Sequence, residues 1–145
     1  MKRFYMFLLV ITSLLITQFS YAQNDVSIDT QYRMKPDRTV AKESNYFGFY
    51  ISEGKLYSND KDLNIQKQYY IKFKNTFYDN AGLFNLAYET DVVTHTLNSR
   101  PKSEVGIFLI IYDEKNGKIV GVRIIKQGSD DTFLTEFGAK FLNKI

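Results

Sequence analysis

Val105-Gly-Ile-Phe-Leu-Ile-Ile-Tyr112, then Asp113-Glu-Lys-Asn-Gly117, then Ile119-Val-Gly-Val-Arg-Ile-Ile125: these three stretches decide the fold. The first is a nearly continuous apolar run, long enough for a central strand covered on both faces. The second is a hairpin loop in which Asn116-Gly117 supplies residues that tolerate left-handed backbone. The third returns as the partner strand, and Gly128-Ser-Asp-Asp131 ends it. Beyond it, the spacing of Leu134, Phe137, Phe141 and Ile145 predicts a helix with those residues on its buried side. Asp131, Thr132 or Thr135 would cap that helix, and Lys140 and Lys144 suit its C-terminal dipole. A C-terminal β-hairpin followed by a helix is therefore expected. Because both faces of Val105–Tyr112 are apolar, the second side of the sheet must also be partly covered.

Working upstream, Leu83, Leu86, Ala87, Thr90, Val93 and Leu97 recur at spacings of three and four. That stripe predicts a helix over Asn80–Leu97, capped by Asp79 or Asn80 and stopped by Asn98 and Pro101. Thr90, Val92, Val93, Thr94 and Thr96 lower its helix propensity, so two short strands stay open as the alternative. Tyr69, Ile71 and Phe73 alternate with Tyr70, Lys72 and Lys74, which predicts a strand from Gln68 to Phe77. Tyr46–Ser58 reads as a hairpin turning at Glu53-Gly54, with Phe47, Phe49 and Ile51 on one face and Tyr46, Gly48 and Tyr50 on the other. Asn24 to Lys42 is polar and is read as an arm, tied down at most by Val26 and Ile28 as a short edge strand. These elements sum to an α+β fold: an antiparallel sheet of about four to six strands with one or two packed helices.

The first residues carry a different message. Lys2 and Arg3 precede an apolar run from Phe4 to Ile16, and Ser20 and Ala22 stand at −3 and −1 of a small-residue cleavage site. This is the pattern of a secretory signal peptide, with a run too short for the roughly 20 residues that span a bilayer core. The expected organisation is a signal peptide at 1–22, a polar arm at 23–42 and a single α+β domain at 43–145. The leader removes Lys2 and Arg3 but no acidic residue, so the formal charge falls from +3 to +1. Near-neutrality gives no electrostatic reason to expect a nucleic acid as partner, and contact with a membrane is expected only through an uncleaved leader.

The stretch Val105–Phe141 resembles the C-terminal domain of TonB-type energy transducers. The likeness rests on Ile107–Lys126 as strand, Gly-ended turn and strand, on the Gly128-Ser129 break, and on Leu134-Thr135-Glu136 opening a helix. The family's Tyr-Pro signature and Pro-rich linker are missing, since Pro36 and Pro101 are the only prolines, and the family's further strand has no counterpart before Ile145. The resemblance implies a related fold put to a different use, not energy transduction.

Candidate chemistry is sparse. There is no cysteine and one histidine, which removes thiol chemistry and a multi-histidine zinc site within one chain. Asp60, Asp62 and Asn64 open like a calcium loop, but Ile65 and Ile71 stand where glycine and a bidentate glutamate are needed. No cofactor or metal is expected. His95 lacks the glycines of a nucleophile elbow around any serine partner. Gly128–Asp131 before a helix suits a capped turn better than a ligand loop. The carboxylates Glu53, Asp60, Asp62, Glu89, Asp91, Asp113 and Glu114 fall near turns or element ends, where charge is ordinary.

The aromatic residues are the best functional candidates. If Phe47, Phe49 and Ile51 face the core, Tyr46, Tyr50 and Tyr57 present rigid apolar area with a hydroxyl, flanked by Lys55, Lys72 and Lys74. The sequence thus predicts an exported, non-catalytic binding or adaptor protein of the bacterial cell envelope, periplasmic or secreted. It would act through a tyrosine-bearing face (Tyr46, Tyr50, Tyr57, Lys72, Lys74) or a sheet edge, on an envelope or secreted protein or a glycan. Two alternatives stand beside it: a small secreted hydrolase using convergent carboxylates, and an inhibitor or immunity-type protein.

Overall fold

A computed structural model describes residues 25–60, 65–95 and 105–143. Residues 1–24, with the signal segment, and residues 61–64, 96–104 and 144–145 lie outside the described residues. Eight antiparallel strands follow one another around a closed barrel. They are β1 Val26–Met34, β2 Val40–Ser52, β3 Lys55–Asp60, β4 Ile65–Tyr78, β5 Phe84–His95, β6 Val105–Asp113, β7 Lys118–Lys126 and β8 Ser129–Leu134. One helix, α1 Glu136–Asn143, ends the described chain.

The expected α+β fold is therefore corrected to a mainly β barrel with one short helix. Two readings caused the difference. The helix expected over Asn80–Leu97 is β5: its inward positions Leu86, Tyr88 and Thr90 alternate, and the β-branched residues prefer the pleated surface. The hairpin was expected to lead straight into a helix, but Gly128, at φ 81°, turns β7 into β8, and the helix waits until Glu136. The stretch read as a polar arm supplies β1 and the start of β2, and β1 closes the barrel on β8 through Tyr32–Leu134, Arg33–Phe133 and Met34–Thr132.

Elsewhere the local readings hold. Glu53 and Gly54, at φ 51° and 74°, turn β2 into β3 with Ser52 opposite Lys55. Gly117, at φ 64°, completes the β6–β7 turn, where Asp113 accepts from the Lys115 N–H and the Asn116 amide.

Alternation sends Ile28, Phe49, Ile51, Leu56, Tyr69, Leu86, Tyr88, Phe108, Ile110, Val122 and Phe133 into one core. Rings interlock across it: Phe49 lies 5.7 Å from Phe108 and 5.9 Å from Phe133, and Phe73 meets Tyr88 edge-on at 5.7 Å. Eight strands enclose a space that side chains can just fill, and here aromatic rings fill it. Burial pushes the Tyr88 hydroxyl up to about 12. Outward positions such as Lys72, Lys74, Glu89 and Arg123 are charged, the reverse of a lipid-facing barrel with a polar lumen. Among the described residues no helix is long and apolar enough to cross a membrane.

A second, smaller core lies outside the barrel wall. Ile111, Val120 and Leu134 pack there with Tyr32, Met34, Leu83, Phe137 and Phe141. This is the cover that the two-sided apolar run of β6 demanded. The register of β6 with β7 skips Val120, whose carbonyl accepts from the Thr135 N–H at 3.1 Å and the Thr135 hydroxyl at 3.1 Å. Thr135 Oγ1 in turn accepts from the Gly138 N–H at 3.0 Å, which caps α1. A bulge in the wall thus becomes the seat of the helix.

Candidate functional site

Two outer surfaces carry organised side chains. The first lies on β2, β3 and β4. Tyr50 stands directly opposite Tyr57 across the β2–β3 ladder, with ring centroids 6.2 Å apart. On β4, Gln68 faces Tyr57, which puts Tyr70, two residues on, diagonally beside that ring on the same face. Tyr70 is 57% exposed and Tyr50 43%, large values for rings of this size. The Tyr50 hydroxyl donates to Asp25 at 3.3 Å.

The structure brings together only part of the predicted set. Tyr50 and Tyr57 form the pair. Lys72 is exposed one outward step beyond Tyr70, opposite Glu89, and Lys74 makes an ion pair with that same Glu89 at 3.2 Å. Tyr46 is half-buried, engaged within the fold, and four residues from Tyr50, about 13 Å along an extended strand. Tyr70 belongs to the surface and was not selected from sequence, although its alternation with Tyr69 and Ile71 placed it outward.

The second surface is a groove on the outer side of β5–β8. Its floor is Asn85, Leu109, Ile111 and Thr132, and its walls are the β1–β2 tip (Met34, Lys35, Pro36, Arg38) and the β4–β5 turn (Phe77, Asp79). The volume is about 450 Å³. An overlapping hollow of about 370 Å³ continues to Leu83, Val120, Leu134 and Leu142 beside α1. These sizes fall where small-molecule sites commonly fall.

Each wall is fixed by its own hydrogen bonds. At the β1–β2 tip, Lys35 and Thr39 pair through a 2.8 Å backbone bond, and the Arg38 N–H donates to the Lys35 carbonyl at 2.8 Å. Asp37 accepts from the Thr39 N–H at 3.0 Å and its hydroxyl at 2.6 Å, bonds that hold the Asp37 carboxyl below the usual range. In the turn, Asp79 Oδ1 accepts from the Ala81 and Leu83 N–H groups at 3.0 Å each, and Oδ2 from the Asn85 amide at 3.2 Å. On the floor, Arg123 donates to Asp130 twice, at 2.8 and 2.7 Å. This bidentate pair lowers the Asp130 carboxyl and raises the Arg123 guanidinium, and Asp79 adds to the latter through its charge.

Of the groove residues only Asp130 came under consideration for a site, in the Gly128–Asp131 stretch read as a capped turn rather than a ligand loop; the rest align through barrel registers, with Asn85 opposite Ile111 and Leu109 opposite Arg123. One signal was present. Arg123 is the single charge inside the apolar stretch Ile119–Ile125.

The carboxylates considered for hydrolysis are largely spent locally: Glu89 on Lys74, Glu114 on the Tyr78 hydroxyl at 2.8 Å, and Asp113 on its own turn. Asp62, and the side chains of Asp60 and His95, lie outside the described residues. No group of three or more His, Cys, Asp or Glu side chains is placed to hold a metal ion among the described residues. Compared with known proteins, the chain matches no family model, no curated protein and no solved structure.

Proposed function

We propose that this chain is an exported, non-catalytic binding or adaptor protein of the bacterial envelope, and that a protein of that compartment seats on the Tyr50–Tyr57–Tyr70 face. One observation carries the reading: the exposed rings of Tyr50 and Tyr70 flank the half-buried Tyr57 on one face, with Tyr50 and Tyr57 in cross-strand contact. Tyrosine suits such a surface, since its ring gives apolar contact at small entropic cost and its hydroxyl finds a partner. Lys55 and Lys72 border the rings, adding cations to the rim. Of the two routes read from sequence, the sheet edge is the weaker, because β1 meets β8 and neither end strand runs wholly unpaired.

The test is capture from an envelope extract with the chain from Gln23 onward, beside a Tyr50→Ala/Tyr70→Ala variant. The parent retains one dominant protein, and the variant loses it while melting within about 3 °C of the parent, as exposed substitutions do. Equal capture by both would remove this face from the reading. Retention on immobilised glycans without a protein partner would replace the partner class.

A further inference from the structure

We propose that the groove between the β1–β2 tip and the β4–β5 turn is a binding site for a single-chain amphiphile with an anionic head. The tail would lie on Leu109 and Ile111, and the head would meet Arg38. This groove is separate from the tyrosine face and does not depend on it.

Charge decides the head. The groove holds two carboxylates and three cations, but the carboxylates are already engaged: Asp130 by both arms of Arg123, and Asp79 by three donors. Lys35 and Arg38 are exposed, and among the described residues their side chains meet no acceptor. The Lys35 charge already acts on the Asp37 carboxylate, so an arriving anion finds Arg38 at the rim, a guanidinium suited to a carboxylate or phosphate, with the Lys35 ammonium beside it.

The β1–β2 loop fixes the backbone position of Arg38. Its φ is 67°, a region that long side chains enter at a cost and that Gly, Asn or Asp enter readily. The tip is a short, internally bonded loop that holds Arg38 there at the groove wall. The short hairpin loop needs a left-handed residue at this position, and in this chain that residue is the one that carries the guanidinium to the groove wall.

The floor decides the tail. Leu109 and Ile111 point outward from β6, and the apolar lining continues through Leu83 to Leu142 at the helix. Asn85, Thr132, Asp79 and the Arg123–Asp130 pair interrupt it. Asn85 is 2% exposed and gives its amide protons to Asp79 and to the Leu83 carbonyl. Thr132 lies nearby on the same floor. An apolar floor strip, with the Arg123–Asp130 pair neutralised internally and Arg38 at one rim, fits a molecule apolar along its length and charged at one end.

The experiment titrates decanoate, decan-1-ol and acetate, each below any micelle-forming concentration, into the chain from Gln23 onward, which contains the whole barrel. Decanoate binds saturably and at least tenfold tighter than decanol, and acetate gives no saturable signal. Arg38→Asn, whose residue tolerates this backbone, keeps the melting temperature and binds decanoate at least fivefold more weakly with decanol unchanged. Phe77→Asp, at a residue 39% exposed, weakens both chains. Equal affinity for decanoate and decanol, or an Arg38→Asn variant that binds decanoate like the parent, overturns the proposal. Sedimentation with anionic phospholipid vesicles without binding of free decanoate also overturns it, by assigning the cations to a bilayer surface.

Discussion

Replacing Gly138 by alanine separates two opposed physical effects at one atom. Gly138 lies inside α1, where helix propensity alone favours alanine by about 1 kcal/mol. Its position contradicts that gain. A Cβ built there meets the Val120 carbonyl oxygen at 1.8 Å, the Val120 carbonyl carbon at 2.7 Å and its Cα at 3.0 Å. The obstacle is backbone in the bulged strand, so no side-chain rotation relieves it. The helix must retreat by more than an ångström, which strains or breaks the bonds from Thr135 to the Val120 and Ile119 carbonyls. Two such bonds are worth about 2 kcal/mol, and overpacking adds about 1–3 kcal/mol. Against the propensity gain, Gly138→Ala destabilises by about 3 kcal/mol, which for a domain of this size lowers Tm by about 10 °C. Thermal unfolding followed by circular dichroism measures it, with Ala139→Gly as a comparison that loses propensity without a clash. A Gly138→Ala protein melting at or above the parent temperature would refute the close seating of α1 on the β7 bulge.

Two further outcomes follow from titrating groups. The Tyr88 hydroxyl, raised by burial to about 12, favours the folded state below the unfolded value near 10, and that contribution is lost as pH rises through 10 toward 12. Tyr88→Phe therefore flattens the alkaline fall of Tm and changes Tm little at neutral pH, read by melts from pH 8 to 11.5. An equally steep alkaline fall in the variant would contradict the assignment. At the acid end, the lowered Asp130 carboxyl contributes stability above its unfolded value near 4, which is lost as pH falls through its folded value. Since the Arg123–Asp130 pair is nearly half exposed, the effect is small, and Asp130→Asn shows a slightly shallower decline of Tm between pH 4 and 2.5. An unchanged slope would leave the pair without a role in acid stability.

The parts of the fold that were legible in sequence are those in which local chemistry and final structure agree. Asn116-Gly117 and Glu53-Gly54 specify turns because glycine is needed at their positive φ angles, and the alternation of Phe47, Phe49 and Ile51 named an inner face that the barrel uses. Thr135 was among the caps foreseen, and it is the residue that holds the Gly138 N–H. The misreadings arose where two periods coincide. Over Asn80–Leu97 an apolar residue recurs every three or four positions and also at Leu86, Tyr88 and Thr90, so only the β-branched content distinguished strand from helix. Barrel closure was not legible at all. It depends on a shift between Thr30 and Tyr32 that turns Tyr32 and Met34 from the inner core to the outer one, and the polar composition around them disguised a strand as an arm. The groove was hidden for the same reason, since its walls come from turns separated by some forty residues.

A filled interior has a consequence for how this chain binds anything. An eight-stranded barrel that holds a ligand does so by leaving its centre open, and here Phe49, Phe108 and Phe133 occupy that centre. A hollow of about 220 Å³ remains inside, beside Phe47, Tyr69 and Phe133, and the two larger surfaces use different strands: the tyrosines stand on β2–β4, and the groove floor on β5, β6 and β8. The densely packed core between them resists deformation. The shortest mechanical connection is instead β1, which supplies Met34 to the groove wall and pairs with β2 at Ser27–Tyr50. That strand meets β8 through only Tyr32, Arg33 and Met34, with Arg33 held to Asp131 at 2.6 Å. An occupant pressed against the β1–β2 tip therefore loads this three-pair seam, and it also meets the start of β2, which runs from that tip to Tyr50.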